Sequence, residues 1–265
     1  MKIWIITMED PLYTMDFIKH IIREKHDQIA GLTIAKGDRM KIGKKRSKLG
    51  YLFSLLLIMG PYYFVKNVLI TLNFKLKKRL SKHFSFVKTP GLKSFAEAFN
   101  IPVDYTSNPN SKDFIAKLKE KEIDIIINQS QFIVKRELLN ASKKGMINRH
   151  NALLPKNRGR LTPFWVLFKG EKETGVSIHF VNEGIDDGDI IVQRKFSVAH
   201  NETFNSLVKK NYTIAPKAMV EAIQLLNKGY NDFIENDKSQ ATYNTIPTIK
   251  EAWEYRLKQF KKILK

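Results

Sequence analysis

The chain contains no cysteine, which excludes a disulfide framework, thiolate catalysis and Cys-based zinc sites, and fits a cytoplasmic protein best. Its amino terminus, MKIWIITMEDP, turns polar too soon for a secretory apolar core and has no small-residue cleavage site, so export is not expected. Acids are nearly absent from one stretch. Between Lys36 and Pro90, fourteen Lys and Arg face the single acid Asp38, so this stretch supplies +13 of the net charge of +20. Glycine is missing from the turn Thr7 to Pro11 after the first apolar run, and no repeat or low-complexity tract is present. The longest apolar run, Tyr51 to Ile70, is cut by Gly60-Pro61 and carries Lys66 and Asn67, which argues against a helix that spans a membrane.

What is present suits a globular α/β chain: 265 residues with 43% apolar content can fill a core. Lys2 to Thr7 and Ile29 to Ala35 read as strands. Both are unbroken apolar runs, as expected when both faces of a parallel sheet are covered. Between them a helix is expected from an N-cap at Asp10 with Pro11 at its first position to about Glu24. Helices over 91–99 and 111–121 alternate with strands over 101–105 and 123–128, and a short strand, Met146 to Arg149, follows. Further on, 163–168 reads as a helix, and 175–181 and 189–196 as strands. Thr203 to Asn227 reads as a helix kinked or split at Pro216, and Glu251 to Leu264 as an amphipathic helix with Trp253, Leu257, Phe260 and Leu264 on one side. The expected fold is a Rossmann-like, mostly parallel sheet over residues 1–198, interrupted by a helical basic insertion at 36–90 and followed by a helical extension at 199–265.

Within the insertion, Val65, Val68, Leu69, Leu72, Leu76 and Leu80 recur at helical spacing and describe an amphipathic helix with a basic face. Two helices are expected. They pack on the domain or on a second subunit, or they lie on an anionic membrane surface through residues 44–82.

The stretch from Asn148 to Asp189 gathers the reactive groups: Asn148-Arg149-His150, then Leu153-Leu154-Pro155-Lys156, Arg158-Gly159, Gly175-Val176-Ser177-Ile178-His179 and Gly184-Ile185-Asp186-Asp187-Gly188. This pattern resembles the folate-dependent formyltransferases, a family that includes glycinamide ribonucleotide transformylase, methionyl-tRNA formyltransferase and the sugar N-formyltransferases. The resemblance implies 10-formyltetrahydrofolate as co-substrate and Asn148, His150 and Asp186 as catalytic residues. Asn148 would donate to a developing oxyanion, His150 would polarise the carbonyl or take the amine proton, and Asp186 would hold His150 in its productive ionisation state. It implies a pterin site between two loops, at Phe132, Ile133 and Val134 and at Val181, Asn182, Glu183, Gly184 and Ile185. In this chain Asn151-Ala152 stands where the family usually has Pro-Ser.

The glycine-free turn after the first strand counts against glycinamide ribonucleotide. Methionyl-tRNA formyltransferases carry a carboxyl-terminal barrel, whereas the residues after Phe196 read as helices, and the net charge has no RNA-recognition signature beside it, so no nucleic acid is expected. The acceptor implied is an amino sugar, nucleotide-linked and of the kind built into cell-surface polysaccharides, with Lys156, Arg158 and Arg160 around its diphosphate and Trp165 as a shield. Each of those four side chains suits a surface ion pair or the core equally well. A lipid-linked or tRNA-borne amine, hydrolysis of 10-formyltetrahydrofolate, and a non-catalytic basic module that recruits membrane or nucleic acid stand as alternatives. The exposed apolar helices also suit a homodimer.

Other site chemistries fail on spacing. Asp186, Asp187 and Asp189 do not form a calcium loop, since the twelfth positions are Ser197 and Val198. Gly37, Gly43 and Lys44 are one residue too long for a P-loop, with Lys45 where Ser or Thr is needed. His179 beside His150 could suggest a metal, but a mid-strand imidazole reads as a packed structural one, and no metal is expected.

Overall fold

A computed structural model describes residues 1–37, 47–84, 86 and 91–263. Gly43 to Arg46 and Leu264, which figure in the sequence reading, lie outside the described residues.

Seven strands form one sheet in the order β3-β2-β1-β4-β5-β7-β8. These are β1 (Ile3–Thr7), β2 (Ile29–Ala35), β3 (Val103–Thr106), β4 (Ile125–Gln129), β5 (Met146–His150), β7 (Glu173–Phe180) and β8 (Ile190–Ser197). The five from β3 to β5 run parallel, and β7 and β8 are antiparallel additions. The chain builds outward from β1 to β3, then returns to lay β4 and β5 on the other side of β1. Strand order therefore reverses between β1 and β4, and a doubly wound sheet opens a crevice at the carboxyl ends of such a pair. All five residues of β1 are buried, in keeping with its lack of alternation.

Helix α1 (Thr14–Lys25) starts later than the sequence suggests. Asp10 makes a turn instead of a cap: its side chain accepts from Leu12 N at 3.2 Å, and its carbonyl from Met15 N at 3.1 Å. The insertion contains two helices, α2 (Lys48–Met59) and α3 (Pro61–Leu80), broken where Gly60 takes a φ of +83° and Pro61 opens the second. Helices α4 (Leu92–Glu97) and α5 (Lys112–Glu120) complete the first half. The four-residue α6 (Arg136–Leu139) is too short to carry a periodic signal.

Helix α7 (Thr162–Lys169) precedes β7. Helix α8 (Phe204–Asn227) is one unbroken helix with Pro216 inside it, not a split one. Its Ala215, Ala218, Met219 and Ile223 sit fully buried in the main core beside Ile3, Ile5 and Val176. Tertiary burial on that scale outweighs the lost backbone hydrogen bond, since each large apolar side chain contributes roughly 1.5–3 kcal/mol.

The last helix is α9 (Ile249–Ile263). Ala252, Tyr255 and Gln259 face the protein, while Trp253, Leu257 and Phe260 face outward. The inward face is selected by Tyr255, whose hydroxyl accepts from Phe204 N at 3.0 Å and whose pKa burial pushes up to about 12. Ahead of α9, the polar connector returns to the centre of the molecule. Tyr243–Asn244 (β9) pairs in parallel with Arg158–Gly159 (β6).

Candidate active site

The carboxyl end of β5 delivers Asn148 and His150. Asn148 is held by its side-chain oxygen, which accepts from Gln129 Nε2 at 2.6 Å and from Arg149 N at 2.8 Å. Its Nδ2 is thereby turned away from both donors. Gln129 ends β4, the strand beside the reversal of strand order. It is in turn fixed by donating to Asn128 O at 2.8 Å and by accepting from Arg149 Nε at 3.1 Å.

His150 is buried, and both ring nitrogens face protein. Nε2 lies 2.8 Å from Asn157 O; a carbonyl can only accept, so this nitrogen carries a proton. Nδ1 is therefore the nitrogen that gains or loses a proton, and it faces Asp186 Oδ2 at 3.4 Å. For His150 to touch a substrate oxygen, one of these two contacts must give way.

Asp186 comes from the loop between β7 and β8 and adopts a left-handed φ of +48°, which aspartate tolerates better than bulkier residues. Gly159 N donates to its Oδ2 at 2.9 Å, and Asn236 Nδ2 donates to its main-chain oxygen at 3.0 Å. Its other oxygen faces His179 Nε2 at 3.7 Å. Register puts His179 there, because it pairs directly with Asn148 across β5 and β7. His179 Nδ1 donates to Phe180 O at 2.7 Å, while Nε2 is buried without a hydrogen bond. Burial foremost, against the opposing pull of Asp186, lowers its pKa to about 4, so it is a neutral structural imidazole at pH 7. Among the described residues no group of His, Asp and Glu is arranged to hold a metal ion.

The proposed pterin loops flank this centre. Ile133, on the loop after β4, is 87% exposed, and Ile185, on the loop leading to Asp186, is 61% exposed. The Arg136–Glu183 pair at 2.9 Å ties α6, which follows the first loop, to the second loop. Phe132, Val134 and Val181 turn inward onto a second core cluster, around Trp4, Ile6 and Phe114, instead. Asn182 and Gly184 are exposed.

The proposed acceptor residues divide. Lys156 and Arg160 lie on the surface. Arg158 does not line an open pocket: it is fully buried, giving hydrogen bonds to Asn236 O (3.1 Å), Asn236 Oδ1 (2.7 Å) and Tyr243 OH (3.0 Å). Trp165 is no shield either. Its ring packs among Phe164 and Phe168, and its Nε1 donates to Thr245 O at 2.8 Å. Both go inward because the connector supplies the acceptors that a guanidinium or an indole N–H needs once buried.

Several residues that position the site escape sequence reasoning. Asn157 is a hub: its amide donates to both oxygens of Glu171 at 2.9 and 3.0 Å, and its Oδ1 accepts from Lys169 and Asn244. Arg149 stacks on Tyr212, 4.2 Å from guanidinium to ring centre, and donates to that hydroxyl at 3.1 Å. Of these, Arg149 stands inside the Asn148-Arg149-His150 motif, but nothing in its spacing indicates a positioning role. A depression of about 600 Å³ between Phe180, Gly188, Phe233 and Asp237 lies behind the Asp186 loop, and none of Asn148, His150 and Asp186 lines it.

Comparison with known proteins bears on this geometry. A family model described as formyl transferase matches residues 81–223. The methionyl-tRNA formyltransferase of Anaeromyxobacter sp. is 31% identical over 161 residues, 60% of this chain and 52% of that protein. Its counterpart in Prochlorococcus marinus is 35% identical over 170 residues, 62% of this chain and 50% of that protein. The chain thus spans about half the length of the curated relatives it matches.

Among solved structures, glycinamide ribonucleotide transformylase 1 from Symbiobacterium toebii superposes with a TM-score of 0.58 at 17% identity, covering 86% of this chain and 88% of that one. An N-formyltransferase from Helicobacter canadensis, in complex with folinic acid and dTDP-3-aminofucose, gives 0.56 at 18% identity, covering 92% and 71%. At these identities the likeness is one of fold.

Proposed function

This chain belongs to the formyl transferase family, and on that premise we propose that it moves a formyl group from 10-formyltetrahydrofolate to the amine of an amino sugar carried on a nucleotide. The observation that carries the reading is the orientation of Asn148, whose Oδ1 is engaged by Gln129 and Arg149 on the strand end that also carries His150, with Asp186 against it.

The reaction needs an unprotonated amine, a donor for charge developing on the formyl oxygen, and a path for one proton. The amine nitrogen bonds to the formyl carbon, the bond from that carbon to N10 breaks, and the amine proton ends on N10. Asn148 Nδ2 would donate to the formyl oxygen. With its contact to Asp186 opened, His150 Nδ1 would receive the amine proton and return it to the leaving nitrogen, the Asp186 carboxylate nearby favouring the transient positive charge. Ile133 and Ile185 would cover the two faces of the pterin.

Support for a sugar acceptor is that the residues after β8 fold onto the same core. Helix α8 lies on the sheet and β9 on Arg158–Gly159. A tRNA-borne amine is the second reading, favoured by the methionyl-tRNA formyltransferase relatives and the net charge of +20. One assay separates them: formyl transfer to a panel of amino-sugar nucleotides and to methionyl-tRNA, with tetrahydrofolate release followed and His150→Ala run alongside. Turnover that requires one amino sugar and vanishes in the variant supports the first reading; turnover with methionyl-tRNA alone replaces it with the second. Release of tetrahydrofolate without any amine would mean hydrolysis.

A further inference from the structure

We propose that the outward face of α3 docks this protein onto the surface of an anionic lipid bilayer. The helix has two distinct faces. Toward the protein, Phe64, Asn67, Thr71, Phe74 and Lys78 are half-buried. Asn67 reaches Met59 Sδ at 3.5 Å, Phe74 packs on the main core cluster, and Lys78 pairs with Glu9. Away from the protein, Tyr62, Val65, Leu69, Leu72 and Leu76 recur at alternating steps of three and four, which makes one continuous stripe along a helix. All five are exposed, Tyr62 by 70% and Leu69 by 59%, and the helix fully buries none of its residues.

Charge chooses the occupant. Successive residues turn by about 100°, so Lys66 and Lys77 fall on one flank of the stripe and Lys75 and Arg79 on the other. From Ser47 to Phe84 the chain has seven Lys and Arg and no acid. Apolar side chains between two rows of cations describe a helix lying in a bilayer interface, its stripe among the acyl chains and its lysines reaching up to the phosphates.

The same three-and-four spacing would serve a coiled coil with a second copy of this chain. Such a seam takes opposite charges on its flanks, and here self-pairing would set cations against cations. Nucleic acid needs the cations but not five bare apolar side chains between them. No helix among the described residues is long and apolar enough to cross a membrane, so the helix lies on the surface.

The inference stands apart from the formyl-transfer reading, and its test needs no activity. The full chain is sedimented with phosphatidylcholine vesicles and with vesicles that also contain phosphatidylglycerol, at low and high salt. Binding should rise at least about tenfold with the anionic lipid and fall with salt, since the surface potential attracts each cation near it and added salt screens that attraction. Leu69→Glu/Leu72→Glu and, separately, Lys75→Glu/Arg79→Glu should each cut binding about tenfold or more with the circular dichroism spectrum unchanged. Equal partition onto both vesicles, or onto neither, overturns the proposal. So does a dimer in sedimentation velocity that Leu69→Glu dissociates, or RNA binding in the absence of vesicle binding.

Discussion

Gln129 Nε2 donates to Asn148 Oδ1 at 2.6 Å, and with Arg149 N, which donates to the same oxygen at 2.8 Å, it fixes which end of the Asn148 amide the protein engages. Without it the amide could present its oxygen, an acceptor, to a developing negative charge. Gln129→Ala is expected to lower kcat about tenfold to a hundredfold while folate binding is unchanged. Asn148→Ala should lose roughly 10²–10³, the usual cost of an oxyanion donor. Stopped-flow formyl transfer beside a folate titration checks both. A Gln129→Ala enzyme at full kcat would show that Asn148 is held by other means.

Gly159 lends its N–H to Asp186 from a backbone conformation, φ +100°, that other residues strain to adopt. A methyl group there would also sit 2.1 Å from Asn244 O, so β6 and β9 could not stay paired. Gly159→Ala should cost at least about 2 kcal/mol of stability and also depress activity, because the donor to Asp186 moves. Urea unfolding gives the first quantity and turnover the second. Loss of stability with full turnover would remove Gly159 from the set that positions the site.

Arg158 is buried, its hydrogen-bond partners are the neutral Asn236 and Tyr243, and its Nε has no hydrogen bond. Arg158→Ala leaves three acceptor contacts unmet and a cavity, an expected loss of about 2–4 kcal/mol in unfolding free energy. The KM for the acceptor should stay within about twofold below the lowered melting temperature. A large rise in KM with unchanged stability would return Arg158 to the substrate pocket.

His179 makes stability depend on acid. Its pKa falls from the ordinary 6.5 to about 4 on folding, so the unfolded chain binds the proton more tightly than the native one. The stability gained by keeping it neutral is fully present above pH 6.5, declines as pH falls toward 4, and is gone below that. The expected slope across this window approaches about 1.4 kcal/mol per pH unit, for a total on the order of 3 kcal/mol. Denaturant unfolding at a series of pH values, compared with His179→Gln, checks it. The variant should show a flatter profile, and parallel profiles would assign the acid sensitivity to other groups.

Local sequence determined the strands and most helices, because unbroken Ile-rich runs and three-to-four spacing report burial directly, and the break at Gly60-Pro61 needs only backbone stereochemistry. It also singled out a candidate reactive set. Asn148 and His150 lie two residues apart on one strand end, and Asp186 sits in a Gly-bounded loop. The tertiary structure alone decided what those residues can do. Whether Arg158 and Trp165 faced a substrate or the core depended on acceptors at Asn236 and Thr245, some eighty residues away along the chain. The amide orientation of Asn148 depended on the neighbouring strand, and the protonated nitrogen of His150 on a carbonyl in the next loop. Composition and periodicity record how a residue meets its immediate neighbours along the chain. Hydrogen-bond direction is set by groups that only folding brings within about 3 Å.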